Sequence, residues 1–471
     1  MLMSRNAEAD VFAMAASPLL EPMAEALFEL DPAPDPRSHP AALMMALGGV
    51  SAYKSARVWD SMLWGQGLWE RIRCSSAQAE RLLPVRRPTL SEVDKMYRRN
   101  KEIGDLLVDP LLEQSLPLFR RGGLLVPRQW DFQDISRENT IRADGTTLRH
   151  RASLTKKEVA RRIKEGIPVS AHAWVQDEVK TKKEGKRLHG IPVELVMVDS
   201  GVPYLGGVLT LRAHRERQET LAARHDLKRV IRAAGGAVEA VSYDGLLKGV
   251  DVEELLLLGV MPIVPLHQPG PGQQHVPIPE AALGDKSRAH FGIIKTVTHD
   301  FNSCVHELWG VDGVIRTVRP GQNVTWDSPV CRVEEIESRR TEDGKTPYVW
   351  VIVPCKKSTF RVALDVRERR EGHPKSSILN VFRVYPESEP MYQRIKGWRS
   401  PVEGMFSAMK GRVAENDLSP RLKISRLQLD LIGYAFLYNT VMWDVHISQF
   451  TSVGSQQYTE IGRAADKRRA A

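Results

Sequence analysis

Three carboxylates far apart in the chain, Asp144, Asp244 and Glu403, stand where an α/β protein would place chemistry. Asp144 and Asp244 each open an Asp-Gly step after a run of strand-forming residues, Thr140-Ile-Arg-Ala and Val238-Glu-Ala-Val-Ser-Tyr. Asp-Gly suits tight turns, so both are expected at strand ends, and open α/β sheets collect ligands at the C-terminal ends of strands. Glu403 opens a helix, and the spacing Arg399-x3-Glu403-x6-Lys410 puts one anion and two cations on about one helical face. By itself that is a surface ion-pair row. Combined with two aspartates it becomes a candidate site for two hard ions, Mg²⁺ or Mn²⁺. Carboxylate oxygens suit such ions, and a pair about 3.5 to 4 Å apart activates water and stabilises the leaving oxygen in phosphoryl transfer.

The elements that must position these residues follow from hydrophobic period. Residues 7 to about 75 repeat apolar side chains at helical spacing (Val11, Met14, Leu19, then Ala42, Met45, then Trp59, Met62, Leu63), broken by Asp31-Pro-Ala-Pro-Asp-Pro36. Thr89-Leu-Ser-Glu92 has the spacing of a capping box. The helix beyond it carries Lys95, Arg98, Arg99 and Lys101, which reads as a solvated charged face or as a helix crossing a DNA backbone. From about 138 the pattern becomes a strand ending at Asp144, a basic helical segment Lys156 to Lys164, and strands Val193–Val198 and Val208–Arg212 paired across Asp199-Ser-Gly-Val-Pro. A helix from Gln218 to Ala234 closed by Gly235-Gly236, a strand to Tyr243, a helix Val252–Leu258 and a strand Ile263–Leu266 follow. That succession predicts an α/β unit with parallel pairing in its second half. Asp199 is the alternative first carboxylate, but a strand pair and a helix fit between Asp144 and Asp244, and Asp199 reads as the turn former of its hairpin. Beyond Pro269-Gly-Pro-Gly272, four alternating segments at 291–297, 313–318, 348–353 and 360–366 predict a mostly β insertion, and helices return near 400 and over 426–443.

Composition bounds the partners. The 471 residues, 42% hydrophobic and 27% charged, describe a folded chain of two or three domains. Lys plus Arg number 67 against 58 acids, a net charge of +9 that fits a polyanionic partner. No apolar run reaches the roughly 18 to 20 residues that span a bilayer, and Arg5, Glu8 and Asp10 interrupt any secretory signal, so no membrane and a cytoplasmic location are expected. Four cysteines form no disulfide framework. His299, Cys304, His306, Cys331 and Cys355 lack the closely spaced Cys pairs of structural zinc, so buried thiols are expected.

Taken together, Asp144-Gly-Thr on a first strand, the strand pair around Gly-Val-Pro, Tyr243-Asp-Gly and Arg399-x3-Glu403-x6-Lys410 resemble a DDE transposase of the cut-and-paste type. The resemblance covers about residues 138 to 445. It implies an α/β fold with an RNase H-like catalytic core (136–270 and 386–450) interrupted by a mostly β insertion (271–385). A helical, DNA-binding region (1–135) would precede the core and a basic tail (451–471) would follow it. It further implies that Asp144, Asp244 and Glu403 are the catalytic ligands of two Mg²⁺ or Mn²⁺ ions, and that Arg399 and Lys410 hold phosphates of the transposon end. The family's tyrosine three residues before the arginine is replaced by Lys396, with Tyr392 one helical turn earlier, and both are candidate DNA contacts. One of Trp309, Trp326 and Trp350 is a candidate for stacking on a flipped base. The implied partners are double-stranded transposon-end and target DNA, with a dimer in the end complex and the nucleoid as the place of action. The rival readings are a catalytically inactive, transposase-derived DNA-binding protein and a metal-dependent nuclease without strand transfer.

Overall fold

A computed structural model describes residues 7–31, 39–54, 56–65, 67–99, 102–129, 131–150, 161, 164–165, 190–201, 206–214, 218–266, 291–299, 303–341, 344–356, 358–413, 418–419 and 424–444. The expected basic helix at 156–164 and the tail at 451–471 lie outside the described residues, apart from Arg161 and Lys164. The chain divides into two compact units. One comprises Met1–Pro127, Arg137–Ala237 and Ser400–Ala471, the other Arg128–Ser136 and Val238–Arg399.

The first unit begins with helices α1 (Ala7–Ala16), α2 (Leu20–Leu30), α3 (Pro40–Tyr53), α4 (Ala56–Gly65), α5 (Leu68–Arg73), α6 (Ala77–Leu82), α7 (Leu90–Arg99) and α8 (Val108–Arg121). The expected capping box starts α7: Glu92 accepts the Thr89 backbone amide at 2.8 Å, and Thr89 Oγ1 accepts that of Glu92 at 3.3 Å. Helix α3 is apolar almost all round and is correspondingly buried, packed between α1, α2 and the C-terminal helix α13 (Ile424–Met442). Gly433 of α13 meets the Leu47 carbonyl so closely that a Cβ there would lie 2.6 Å from the oxygen, so only glycine permits this crossing.

Strands β1 (Thr140–His150), β2 (Gly190–Asp199) and β3 (Gly206–Ala213) form an antiparallel meander in the order β3-β2-β1, with Asp144 opposite Leu195. A two-residue strand, Leu418–Ser419, pairs parallel to the end of β1. Side chains alternate between faces, so Leu148, Leu195 and Met197 join the core of α12 (Ser400–Val413) and α13, while α9 (Glu219–Ala233) packs on the opposite face. The hairpin between β2 and β3 and the helix closed by Gly235 and Gly236, both left-handed, appear where the sequence predicts them. The strand-end placement of Asp144-Gly145 does not hold, because β1 runs straight through both residues. The glycine is not at a turn; a Cβ on it would lie 2.3 Å from Glu219 Oε1, the end of a side chain that can shift aside.

The second unit contains a parallel pair, β4 (Ala240–Ser242) and β5 (Met261–Ile263), joined by α10 (Gly249–Leu257). Two three-stranded antiparallel sheets follow: β6 (Phe291–His299), β7 (Cys304–Val311) and β8 (Val314–Val318), then β9 (Arg332–Thr341), β10 (Gly344–Cys355) and β11 (Ser358–Asp365). A small hairpin (Arg369–Arg370 with His373–Ser377), a 3-10 turn (Ile378–Asn380) and α11 (Pro390–Gly397) complete the unit. The β-rich character expected after residue 270 is present. The unit nevertheless spans 238–399, because β4, α10 and β5 are tied to the inserted sheets: Arg369 pairs with Glu253 at 2.8 Å, and the Gly249 amide donates to Asn380.

The firmest of these ties is Arg383, 2% exposed. Its guanidinium donates to the carbonyls of Val264 (3.1 Å), Pro265 (3.2 Å), Phe382 (2.9 Å) and Leu379, clamping the segment after β5 to the 3-10 turn. Burial pulls its pKa down to about 10. Arg383→Ala leaves several buried carbonyls unmet, at about 1 to 3 kcal/mol each. In urea unfolding it is expected to lower the stability of this unit by at least about 3 kcal/mol, and an unchanged midpoint would refute the clamp.

Candidate active site

Asp144 sits mid-strand on β1, half-buried, on the face against which α12 packs, and its Oδ1 accepts the Gly145 amide at 2.9 Å. Asp199, the alternative first carboxylate, has a different environment. Arg137 reaches its Oδ1 through Nε (2.9 Å) and Nη2 (2.8 Å), Arg142 Nη1 lies 2.6 Å from Oδ2, and the Gly201 amide donates to Oδ1 at 2.8 Å. All three charged side chains are buried. Two guanidiniums occupy this carboxylate, so Asp199 is a structural anion as well as the expected turn former.

Glu403 is exposed in the first turn of α12, where the helix dipole favours an anion, and Lys410 is half-buried in the last turn, where it favours a cation. Residues seven apart share a helical face, so these two do lie along one side. Val402, Met405, Phe406, Met409 and Val413 turn inward. Arg399 does not belong to that helix. It follows Trp398, the C-cap of α11, and Pro401, which has no amide to continue the α11 ladder, falls in the first turn of a new helix that begins at Ser400. The one-face argument therefore fails for Arg399 and holds for Glu403 and Lys410.

Tyr392 is fully buried, and among the described residues its hydroxyl has no hydrogen-bond partner. Burial pushes its pKa up, opposed by the nearby Arg383 and Arg399 guanidiniums. The Lys396 ammonium sits 5.3 Å over the Tyr392 ring, a cation–π contact, so the tyrosine presents Lys396 rather than its own hydroxyl to the surface. Asp244 directly follows β4 and Tyr243, at a strand end as expected, and its Oδ1 accepts the Leu246 amide at 3.0 Å.

Asp144, Glu403 and Lys410 belong to the first unit, and Asp244, Tyr392, Lys396 and Arg399 to the second. Among the described residues no three His, Cys, Asp or Glu side chains gather as a metal-ligand set, so the described carboxylates do not of themselves present a cradle for two ions.

On and just before the basic helix α7, Arg98 pairs with Asp94, Arg99 with Asp31 (2.7 Å), Arg86 with Glu92 (3.6 Å) and Arg87 with Asp60 (2.9 Å), while Lys95 is exposed. Lys101 lies outside the described residues.

In the insertion, Cys331 is buried, its thiol pushed up to about 12 by desolvation, and Cys304 and Cys355 are free thiols. His299 stacks on Phe360 with centroids 4.4 Å apart, and His306 Nδ1 lies 3.1 Å from Thr317 Oγ1. Trp309 donates to Glu307, Trp326 packs against Val311, Val318 and Val324, and Trp350 lies between the guanidiniums of Arg339 (5.0 Å) and Arg361 (4.5 Å).

The Arg137–Asp199–Arg142 cluster escapes a reading by motif. Its one sequence signal is Arg142 in the middle of a strand between Ile141 and Ala143, where a cation needs a buried partner. No family model matches the sequence, and no curated protein or solved structure matches it either.

Two outcomes separate these roles. Asp199→Ala strands two buried guanidiniums and is expected to cost about 3 to 5 kcal/mol in denaturant unfolding, whereas Asp144→Asn at its half-exposed position stays within about 1 kcal/mol; equal costs would contradict the assignment. Burial, together with the positive charges of Arg319 and His299, lowers the pKa of His306. A depressed base contributes stability that is present above its unfolded pKa, about 6.5, and lost as pH falls toward the folded value. The unfolding midpoint should therefore drop between pH 7.5 and 5.5, and His306→Gln should flatten that dependence.

Proposed function

We propose that the chain is a DDE transposase of the cut-and-paste type, which binds the ends of its element and acts on them by metal-dependent phosphoryl transfer. The order of its elements carries this reading. Three antiparallel strands, a helix, a strand, a helix and a strand (β1-β2-β3-α9-β4-α10-β5) are followed by inserted sheets and then by α12, which packs on β1. Asp144 lies in the first of these strands, Asp244 at the end of the fourth, and Glu403 in the first turn of α12. That is the order an RNase H-like core with a β insertion would have, and these are the positions its three carboxylates would take.

On this reading Asp144, Asp244 and Glu403 would hold Mg²⁺ or Mn²⁺, which supply Lewis acidity and an activated water when bound. The ions enter through the chemistry of carboxylate oxygen alone, since the described residues do not gather as a ligand set. Lys410, Arg399 and Lys396 supply cations for phosphate oxygens, with Lys396 held out by the ring of Tyr392. Double-stranded element ends and target are the partners, two ends call for two copies of the chain, and the nucleoid is the place of action.

A second reading, a non-catalytic DNA-binding protein descended from such an enzyme, is favoured by one observation: the described carboxylates form no set of three, and Asp144 and Asp244 each spend an oxygen on a backbone amide. Labelled duplexes carrying the sequences that flank the coding region, incubated with Mn²⁺ or Mg²⁺, decide between the two. Nicking by the wild type that falls at least about 100-fold in Glu403→Gln supports the enzyme, several kcal/mol of transition-state stabilisation having been removed. Nicking unaffected by the substitution contradicts the assigned site, and end binding without nicking in either protein supports the second reading. Cut ends that never join to target DNA would mark a nuclease without strand transfer.

A further inference from the structure

Strand β3 is the outer strand of its sheet, with β2 on one side and, among the described residues, no strand on the other. An outer strand presents a row of amides and carbonyls on which a further strand can pair, and proteins commonly blunt such an edge with proline or lysine. Strand β3 has neither. Its sequence, Gly206-Gly-Val-Leu-Thr-Leu-Arg-Ala213, is strand-forming through the middle, and its one charge, Arg212, is held by Asp226 at 3.0 Å and Asp105 at 2.8 Å.

A helix meets this edge instead. Near the end of β3, Gln428 Oε1 of α13 accepts the Ala213 amide at 2.7 Å, and Gln428 Nε2 donates to the Leu211 carbonyl at 2.9 Å. Near its start, Asn439 Oδ1 accepts the Val208 amide and Asn439 Nδ2 donates to the Val208 carbonyl, both at 2.8 Å. Two residues that exchange both bonds are the pairing unit of an antiparallel ladder, and Asn439 reproduces that unit with a side chain. Asn439 Nδ2 also donates to Ser115 Oγ of α8 at 3.0 Å. Gln428 and Asn439 are each 1% exposed.

Helical period makes the match. Gln428 and Asn439 are eleven positions apart. At about 100° and 1.5 Å per residue they lie on one side of α13, about 16 Å apart along its axis. Four to five strand residues cover about 13 to 17 Å, so a helix running opposite to β3 brings one amide to each end of Val208–Ala213. Apolar side chains at the two positions would fill the space yet leave these backbone groups buried without partners.

We infer that Gln428 and Asn439 set the assembly state of the chain, by closing the outer edge of β3 against strand pairing with a second copy. Every copy carries the same edge, and two such edges related by a two-fold axis form an antiparallel pair, so a second copy is the partner that an opened edge fits. The inference uses no residue assigned to cleavage and does not rest on the activity proposed above.

Sedimentation velocity of the full chain, without DNA and over a range of concentrations, tests it. The wild type is compared with Q428L/N439L, in which leucine keeps the bulk and removes both amides, and circular dichroism confirms that the variant is folded. Self-association of the variant should be at least about 10-fold tighter than that of the wild type. Adding A213P, whose proline lacks the outward amide a partner strand must meet, should return it to the wild-type level. A folded Q428L/N439L that associates no more than the wild type overturns the inference. Association that persists with A213P also overturns it, because strand pairing at this edge is then not the cause. Should the double variant fail to fold, Q428L and N439L are read singly, since each opens one end of the edge, and association above the wild type in neither overturns the inference.

Discussion

The buried cluster of Arg137, Asp199 and Arg142 is the interaction on which the first unit's geometry depends. Removing three charges from water is costly unless they meet one another, and here one carboxylate faces two guanidiniums while a backbone amide fills a further acceptor site. The contacts tie the segment entering β1, the strand itself and the end of β2 into one piece. Arg142 also donates to the Asp199 carbonyl, and the left-handed backbone of Gly201 lets the Arg137 guanidinium lie against it. Asp144 stands two residues along the same face of β1. Its position is therefore set by electrostatics next door, and its own carboxylate is left half-exposed on the side where α12 packs.

The second unit solves the same problem with different chemistry. Arg383 is buried with no carboxylate at hydrogen-bond distance among the described residues, and carbonyl oxygens from two separate segments accept its hydrogen bonds. This ties the segment after β5 to the 3-10 turn and fixes the chain just across from Gly245, whose Cβ position lies 3.5 Å from Pro265. Asp244 accordingly projects from a short strand end braced by a clamp some 140 residues later in the sequence. Each of the two candidate aspartates thus owes its placement to an arginine that sequence motifs do not single out.

What was legible in the sequence was what depends on local period and local chemistry. Thr89 and Glu92 form the reciprocal cap their spacing calls for, Gly235 and Gly236 end α9, and the hairpin joins β2 to β3. Asp-Gly misled at residue 144 because strand pairing with β2 carries β1 straight through both residues, and no turn forms there. Arg399 misled because a proline two residues on divides what looked like one helical face into two helices. Asp199 carried two roles at once, and only the tertiary pairing with Arg137 and Arg142 separates the structural one from the catalytic candidate. The boundary of the second unit was invisible for the same reason, since Arg369–Glu253 and the Arg383 contacts join residues more than a hundred positions apart.

The proposed metal-dependent activity makes Asp144, Asp244 and Glu403 its candidate ion ligands. Titration of the full chain with Mn²⁺ in the presence of duplex, followed by electron paramagnetic resonance, tests it directly. The account predicts about two bound ions in the wild type and the loss of at least one in each of Asp144→Asn, Asp244→Asn and Glu403→Gln. Mn²⁺ binding that is the same in all three variants as in the wild type would contradict it.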